Sequence, residues 1–222
     1  MSIESITRRA RKETLEVEHL LKEASYPNDA LATALDELSA ALQWSFTGTL
    51  DNGTRVVPLA TWAKVVSSYC REGFDGLIRL AAEPGMANFV IGLLEEIMEK
   101  ESLNALLLAF RENLDMPCRD VDLSCRIAGA VNSLLSFTPA VAVDTDQAVA
   151  LRAFLYALYP CSGSDAQRAT ALLALRGIGD EGSAEFAASK SLAYPWQDVP
   201  KKVSKHIRKR LSPARAAGRE RA

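Results

Sequence analysis

The chain has 222 residues, 48% of them apolar and 24% charged, with a formal net charge of −2. That mixture can bury a core, which excludes an intrinsically disordered chain. No apolar run reaches the roughly 18 residues that a bilayer span needs, which excludes a transmembrane helix.

The near-neutral total hides a segregation. Residues 1–12 carry four basic groups and one acid, and residues 201–222 carry nine basic groups and one acid. The intervening 13–200 hold 13 basic and 26 acidic groups, a net of −13. A strongly acidic body disfavours nucleic acid along its length and favours a basic partner there. The basic residues near the N-terminus have no apolar block behind them, so a cleaved secretory signal is not expected and the expected location is the cytoplasm.

Taken in order, the apolar spacing is helical almost throughout. Arg9 to Ala24 has an incomplete stripe around Leu15, which suits a peripheral helix. Asp29 is placed to cap a second helix with Leu31, Ala34/Leu35, Leu38 and Leu42 on one face. Residues 47–58, TGTLDNGTRVVP, hold Asn52-Gly53 between β-favouring residues, so a short hairpin over about 49–57 or a plain loop is expected there. Residues 59–71 carry Trp62, Val65/Val66 and Tyr69, and residues 74–82 carry Phe74, Leu77/Ile78 and Ala81. After a stop at Pro84-Gly85, residues 86–99 and 102–114 read as two more helices, then Met116-Pro117 breaks the pattern.

Residues 121–137 form one long amphipathic stretch. Asp144 or Thr145 is expected to cap 146–159, with Pro160 stopping it. Ser164 is expected to cap 165–176, and Asp180 to cap 181–192. Asp198 or Val199 opens the last helix with Pro200 in its permitted first turn. That helix spaces Val199, Val203, Ile207 and Leu211 four apart and fills its other faces with Lys201, Lys202, Lys205, Arg208 and Lys209. Residues 212–222 read as a disordered basic tail. The expected architecture is therefore all-α, ten or eleven short helices in one domain over 1–211, with an atypical 1–47 and stacked pairs from 58 onward.

Gly177-Ile178-Gly179-Asp180-Glu181-Gly182 is a literal G-x-G-x-x-G. A dinucleotide fingerprint needs a β-strand before it. Here Ala and Leu dominate residues 169–175, which is helix composition, and two carboxylates would repel a pyrophosphate. The loop is better read as a corner, with Gly177 ending one helix in a left-handed cap, Ile178 entering the core and Asp180 capping the next helix. Leu172-Leu173-x-Leu175-Arg176-Gly177-Ile178-Gly179-Asp180-Glu181, followed by Ala184 and Ala187/Ala188, resembles a HEAT-type repeat. The resemblance is closest over 165–192. It implies antiparallel helix pairs stacked in a right-handed solenoid, a protein-binding or scaffolding surface, and no catalytic residues to carry over.

Sites with chemistry are sparse. Glu16-x-x-His19 is half of a di-iron motif that has no second half. No nucleophile elbow, zincin motif or phosphate loop occurs. The four cysteines, Cys70, Cys118, Cys125 and Cys161, form no C-x-x-C pair and are expected to be reduced packing residues. Neither catalytic, cofactor nor metal residues are therefore expected, and the chain is not read as an enzyme. The candidate protein-binding residues are Trp44, beside the hairpin segment, and the acids Glu95, Glu96, Glu99, Asp115, Asp120 and Asp122. Size, charge and fold suit a non-catalytic immunity protein that neutralises a basic toxin partner. A helical scaffold, or a nucleic-acid-associated protein using the basic last helix, is the alternative.

Overall fold

The computed structural model describes residues 17–42, 59–137, 141 and 143–212. Every regular element among them is an α-helix, and there are eleven. They are α1 (Val17–Lys22), α2 (Asp29–Leu42), α3 (Leu59–Ala81), α4 (Ala87–Ile97), α5 (Lys100–Ala109), α6 (Arg111–Asp115), α7 (Val121–Phe137), α8 (Thr145–Cys161), α9 (Asp165–Ile178), α10 (Glu181–Ala188) and α11 (Val199–Leu211). No described helix is long and apolar enough to cross a membrane. The hairpin segment, Trp44 and residues 213–222 lie outside the described residues.

The chain groups into two compact units, residues 1–109 and 110–222. In the first, α3 is central and packs against α1, α2, α4 and α5. Its apolar positions supply Ala63, Val65, Val66, Cys70 and Leu77, all fully buried. The spacing predicts two helices here with a break near residue 73. The structure runs them together through Gly73, whose backbone (φ 60, ψ −142) is not helical. This bend brings Lys64 to Glu83, 19 residues away, as an ion pair. Ser67 donates to Asp36 at 2.5 Å, and Arg71 pairs with the same carboxylate, so α2 and α3 are tied by polar contacts beside their apolar seam.

In the second unit α9 is central, against α7, α8 and α11, and α10 packs on α11. Ala169, Ala171, Leu172, Ala174 and Leu175 fill its core-facing sides. The caps follow the expected chemistry. Asp144 and Gln147 form a reciprocal capping box at α8, Ser164 and Gln167 form another at α9, and Asp180 accepts from the Ser183 N–H at α10. At α2 the cap is one residue earlier than expected: the Asn28 carboxamide oxygen accepts from Leu31 N–H, and Asp29 is the first helical residue. The expected helix over 102–114 is divided at Phe110, which is buried and lacks helical φ/ψ. Pro160 does not stop α8, which continues to Cys161.

The glycine corner keeps its position but not the expected mechanism. The helix runs through Gly177 to Ile178, and Gly179 follows with an extended backbone (φ −63), so no left-handed cap is made. Glycine is required there by close approach. A Cβ on Gly177 would lie 2.6 Å from Leu135 Cβ, and one on Gly179 would lie 2.7 Å from Ile207 Cδ1 and from Leu175 O. Arginines satisfy the carbonyls at this helix end: Arg152 Nη1 donates to Ile178 O at 2.9 Å, and Arg210 donates to Gly179 O.

The cysteine expectation is corrected in part. Cys118 and Cys161 are joined as a disulfide with their Cα atoms 5.4 Å apart, while Cys70 and Cys125 are free. Sequence separation of 43 residues gave no sign of the pairing, because the fold alone brings the α6–α7 turn to the end of α8.

Candidate functional site: a lysine-lined groove

Helix α11 carries six basic side chains and no acid. Its buried face is Pro200, Val203, Ser204 and Ile207, a spacing of three and four residues. The predicted stripe therefore holds at Val203 and Ile207, and fails at Leu211, which is 44% exposed. With that face fixed to the core, Lys201, Lys205 and Lys209 share another face. Successive members stand about 6 Å apart along the axis, given the helical rise.

These lysines line a groove of about 770 Å³ together with Ala188, Lys190, Gln197, Pro200, Ser204 and Arg208. Lys190 stands on the α10 side, its Nζ 4.2 Å from the centroid of Phe186 and 5.3 Å from that of Tyr159. The rings hold the ammonium by cation–π attraction without neutralising it. Arg208 Nε contacts Glu181 Oε1 at 2.9 Å and joins α11 to the start of α10. The ammonium groups of Lys201, Lys205 and Lys209 make no ion pair or hydrogen bond among the described residues.

The loop into α11 is held from below. Asp165 Oδ2 accepts from Ala193 N–H at 2.7 Å, and its other oxygen accepts from Arg168 at 2.9 Å. Those two bonds, the backbone one first, hold the Asp165 carboxyl below the ordinary carboxylate range. Tyr194, next in the loop, is 86% exposed.

Placing Lys201 and Lys202 in the first turn of α11 sets two cations against the positive end of the helix dipole, a cost of about 0.3–1 kcal/mol each. Stability alone would favour acids there. Among the described residues only Lys202 is compensated, by Asp198 at 3.4 Å.

The acidic candidates are distributed differently. Glu95, Glu96 and Glu99 belong to the first unit and Asp115, Asp120 and Asp122 to the second. Asp120 accepts from Leu123 N–H at 3.0 Å as the cap of α7, and Asp122 accepts from Gln167 Nε2 at 2.8 Å. Glu96 and Glu99 are exposed, Glu95 is half-buried, and Asp115 is exposed. Glu99 also bonds the Tyr69 phenol, whose pKa is pushed up to about 12, first by burial and then by the Glu99 charge, with Glu101 contributing.

No group of three or more His, Cys, Asp or Glu side chains converges as a metal site among the described residues. The signal for the groove was present in the sequence as the Lys201/Lys205/Lys209 spacing. Its other wall, from Ala188 and Lys190, needed the turn that folds α10 back on α11. No protein-family profile, no curated protein and no solved structure matches the chain.

Proposed function

We propose that this chain is a non-catalytic protein-binding module, and that its working surface is the lysine-lined groove between α10 and α11, which takes an acidic segment of a partner protein. The observation that carries this reading is the row Lys201, Lys205 and Lys209, without partners among the described residues, facing a groove with Ala188 and Pro200 in its walls. Acids at four-residue spacing on a partner helix would meet lysines at the same spacing, and apolar residues between them would meet the walls. Complementary charge of this kind speeds encounter and selects the partner.

Two other anionic surfaces fit less well. A membrane would require the apolar face of α11 to enter lipid, but Val203 and Ile207 are fully buried in the protein. Single-stranded nucleic acid would require aromatic platforms in the groove, and none of its described lining residues is aromatic. The HEAT-type arrangement belongs to the same proposal. The Asp-capped α9–α10 corner, with α11 laid on both helices, supports it.

The decisive measurement is fluorescence anisotropy with the full chain. The probe is a labelled peptide of about 15 residues with Glu on one helical face and Leu on the other. Binding that weakens with salt and is lost in the K201E/K205E/K209E variant is the expected result. Tight binding of a single-stranded oligonucleotide with none of the peptide would overturn the protein-partner reading. No binding of either would overturn the groove as the working surface.

A second reading keeps the opposite polarity, an immunity protein capturing a basic toxin. Its support is the pair Glu99 and Glu101, whose charges both act on Tyr69, with Glu96 exposed on the preceding helix of the same unit. A 1:1 complex with a cationic partner that E96K/E99K/E101K abolishes, and K201E/K205E/K209E does not, would select it.

A further inference from the structure

Cys118 lies in the turn between α6 and α7 and is exposed, and Cys161 is the last residue of α8 and is partly exposed. Their Cα separation of 5.4 Å falls within the range found for disulfides. Among the described residues the turn's other polar ties are local: Met116 N–H to Glu112 O, Arg119 N–H to Met116 O, Arg119 to Glu112 at 3.1 Å, and Asp120, which accepts from the Leu123 and Ser124 N–H groups. The bridge is its covalent link to a distant part of the chain. The other two thiols are poor competitors for it. Cys70 is fully buried, and Cys125 is partly buried and bonded to Ser162. Burial pushes both thiols above their ordinary pKa, which lowers their thiolate fraction.

We propose that Cys118–Cys161 is a thiol-exchange site, opened and closed by small thiols of the glutathione class, that clips the Met116–Asp120 turn to the end of α8. A glutathione thiolate attacks the more exposed sulfur, that of Cys118. The new S–S bond joins Cys118 to glutathione, the Cys118–Cys161 bond breaks, and Cys161 leaves as thiolate. That thiolate takes up the proton the first glutathione lost. Its S–H has an acceptor in place, since Cys161 Sγ lies 3.0 Å from Ala157 O. A second glutathione thiolate then attacks the mixed disulfide at the glutathione sulfur. Oxidised glutathione departs, and the Cys118 thiolate is protonated. Two thiols have been oxidised to one disulfide and one protein disulfide reduced to two thiols, so the step balances. Excess oxidised glutathione runs the same sequence backwards.

The test is made on the full, natively folded chain. After incubation with oxidised glutathione, alkylation in denaturant and peptide mass mapping should find Cys118 linked to Cys161, with Cys70 and Cys125 alkylated. Reduced glutathione under native conditions should open that link and no other. Trypsin should then cut after Arg119 several-fold faster than in the oxidised protein, because the turn is no longer pinned. C118S and C161S should each show the fast cleavage without any thiol added. A link absent after oxidation, a link to Cys125, or opening only in denaturant would each overturn the proposal. So would a cleavage rate indifferent to the bridge. If one serine variant fails to fold, the wild-type mapping and the other variant still decide.

Discussion

Gly73 occupies a left-handed backbone with φ 60, and Tyr26 lies 3.3 Å from where its Cβ would be. Gly73→Ala combines backbone strain with that contact, so it is expected to cost about 1–3 kcal/mol, read as a lower urea midpoint at unchanged slope. Asp180 works through its charge. The Ser183 backbone N–H first, then the Ser183 hydroxyl and Arg152, hold its carboxyl below the ordinary value. A depressed carboxylate stabilises above its unfolded pKa of about 3.9 and ceases to do so as the pH falls through its folded value. Asp180→Ala should therefore lose about 1 kcal/mol at neutral pH, as a lost cap does. The difference from wild type should shrink steadily below about pH 4. Tyr69 gives the opposite dependence. Its folded pKa of about 12 exceeds the unfolded value, so the stability it supports is complete below about pH 10 and lost as the pH rises towards 12. Urea titrations of Tyr69→Phe across that range should show a weaker alkaline loss than wild type.

Helices whose apolar spacing was regular were legible because the same positions are buried in the fold. Leu31, Leu35 and Leu38 of α2 and Leu151, Phe154, Leu155 and Leu158 of α8 are all buried as the period requires. Caps were legible to within a residue, since Ser164, Asp180 and Asn28 act on amides only three positions away. What the sequence hid was anything set by contact between distant segments. Gly177 and Gly179 read as turn residues because their spacing is that of a turn, yet they are glycine because Leu135 and Ile207 press against them. The lysine row of α11 was legible as a charged face. The groove beside it was not, because its other wall depends on the α10–α11 packing. That packing makes an element-level prediction. Ile207→Ala removes a fully buried side chain that abuts Gly179, and should cost about 2–5 kcal/mol. Lys205→Ala, on an exposed face, should cost under about 0.5 kcal/mol while weakening the acidic peptide. Thermal melts and anisotropy on the same two variants would separate the core-facing side of α11 from its working side.

The two units differ in charge as well as in core. Residues 1–109 hold 10 basic and 16 acidic side chains, a net of −6, and residues 110–222 hold 16 and 12, a net of +4. The opposed proposals for a partner each draw on one unit, and the disulfide belongs wholly to the second. A cross-link stabilises chiefly by restricting the unfolded chain, and closure of a loop of about 40 residues is worth about 4 kcal/mol in the chain-entropy account. That gain reaches an amide only if the amide's opening releases the cross-linked segment. Reduction should therefore lower the protection of amides in α7, α8 and α9, which the bridge spans or which pack against it. Those of α3 and α4, in the other unit's core, should keep theirs. Hydrogen exchange followed by mass spectrometry on oxidised and reduced protein reads both at once. Equal loss of protection in the two sets would mean that the molecule opens as one cooperative body. Loss confined to the second set would mean that each core carries its own stability.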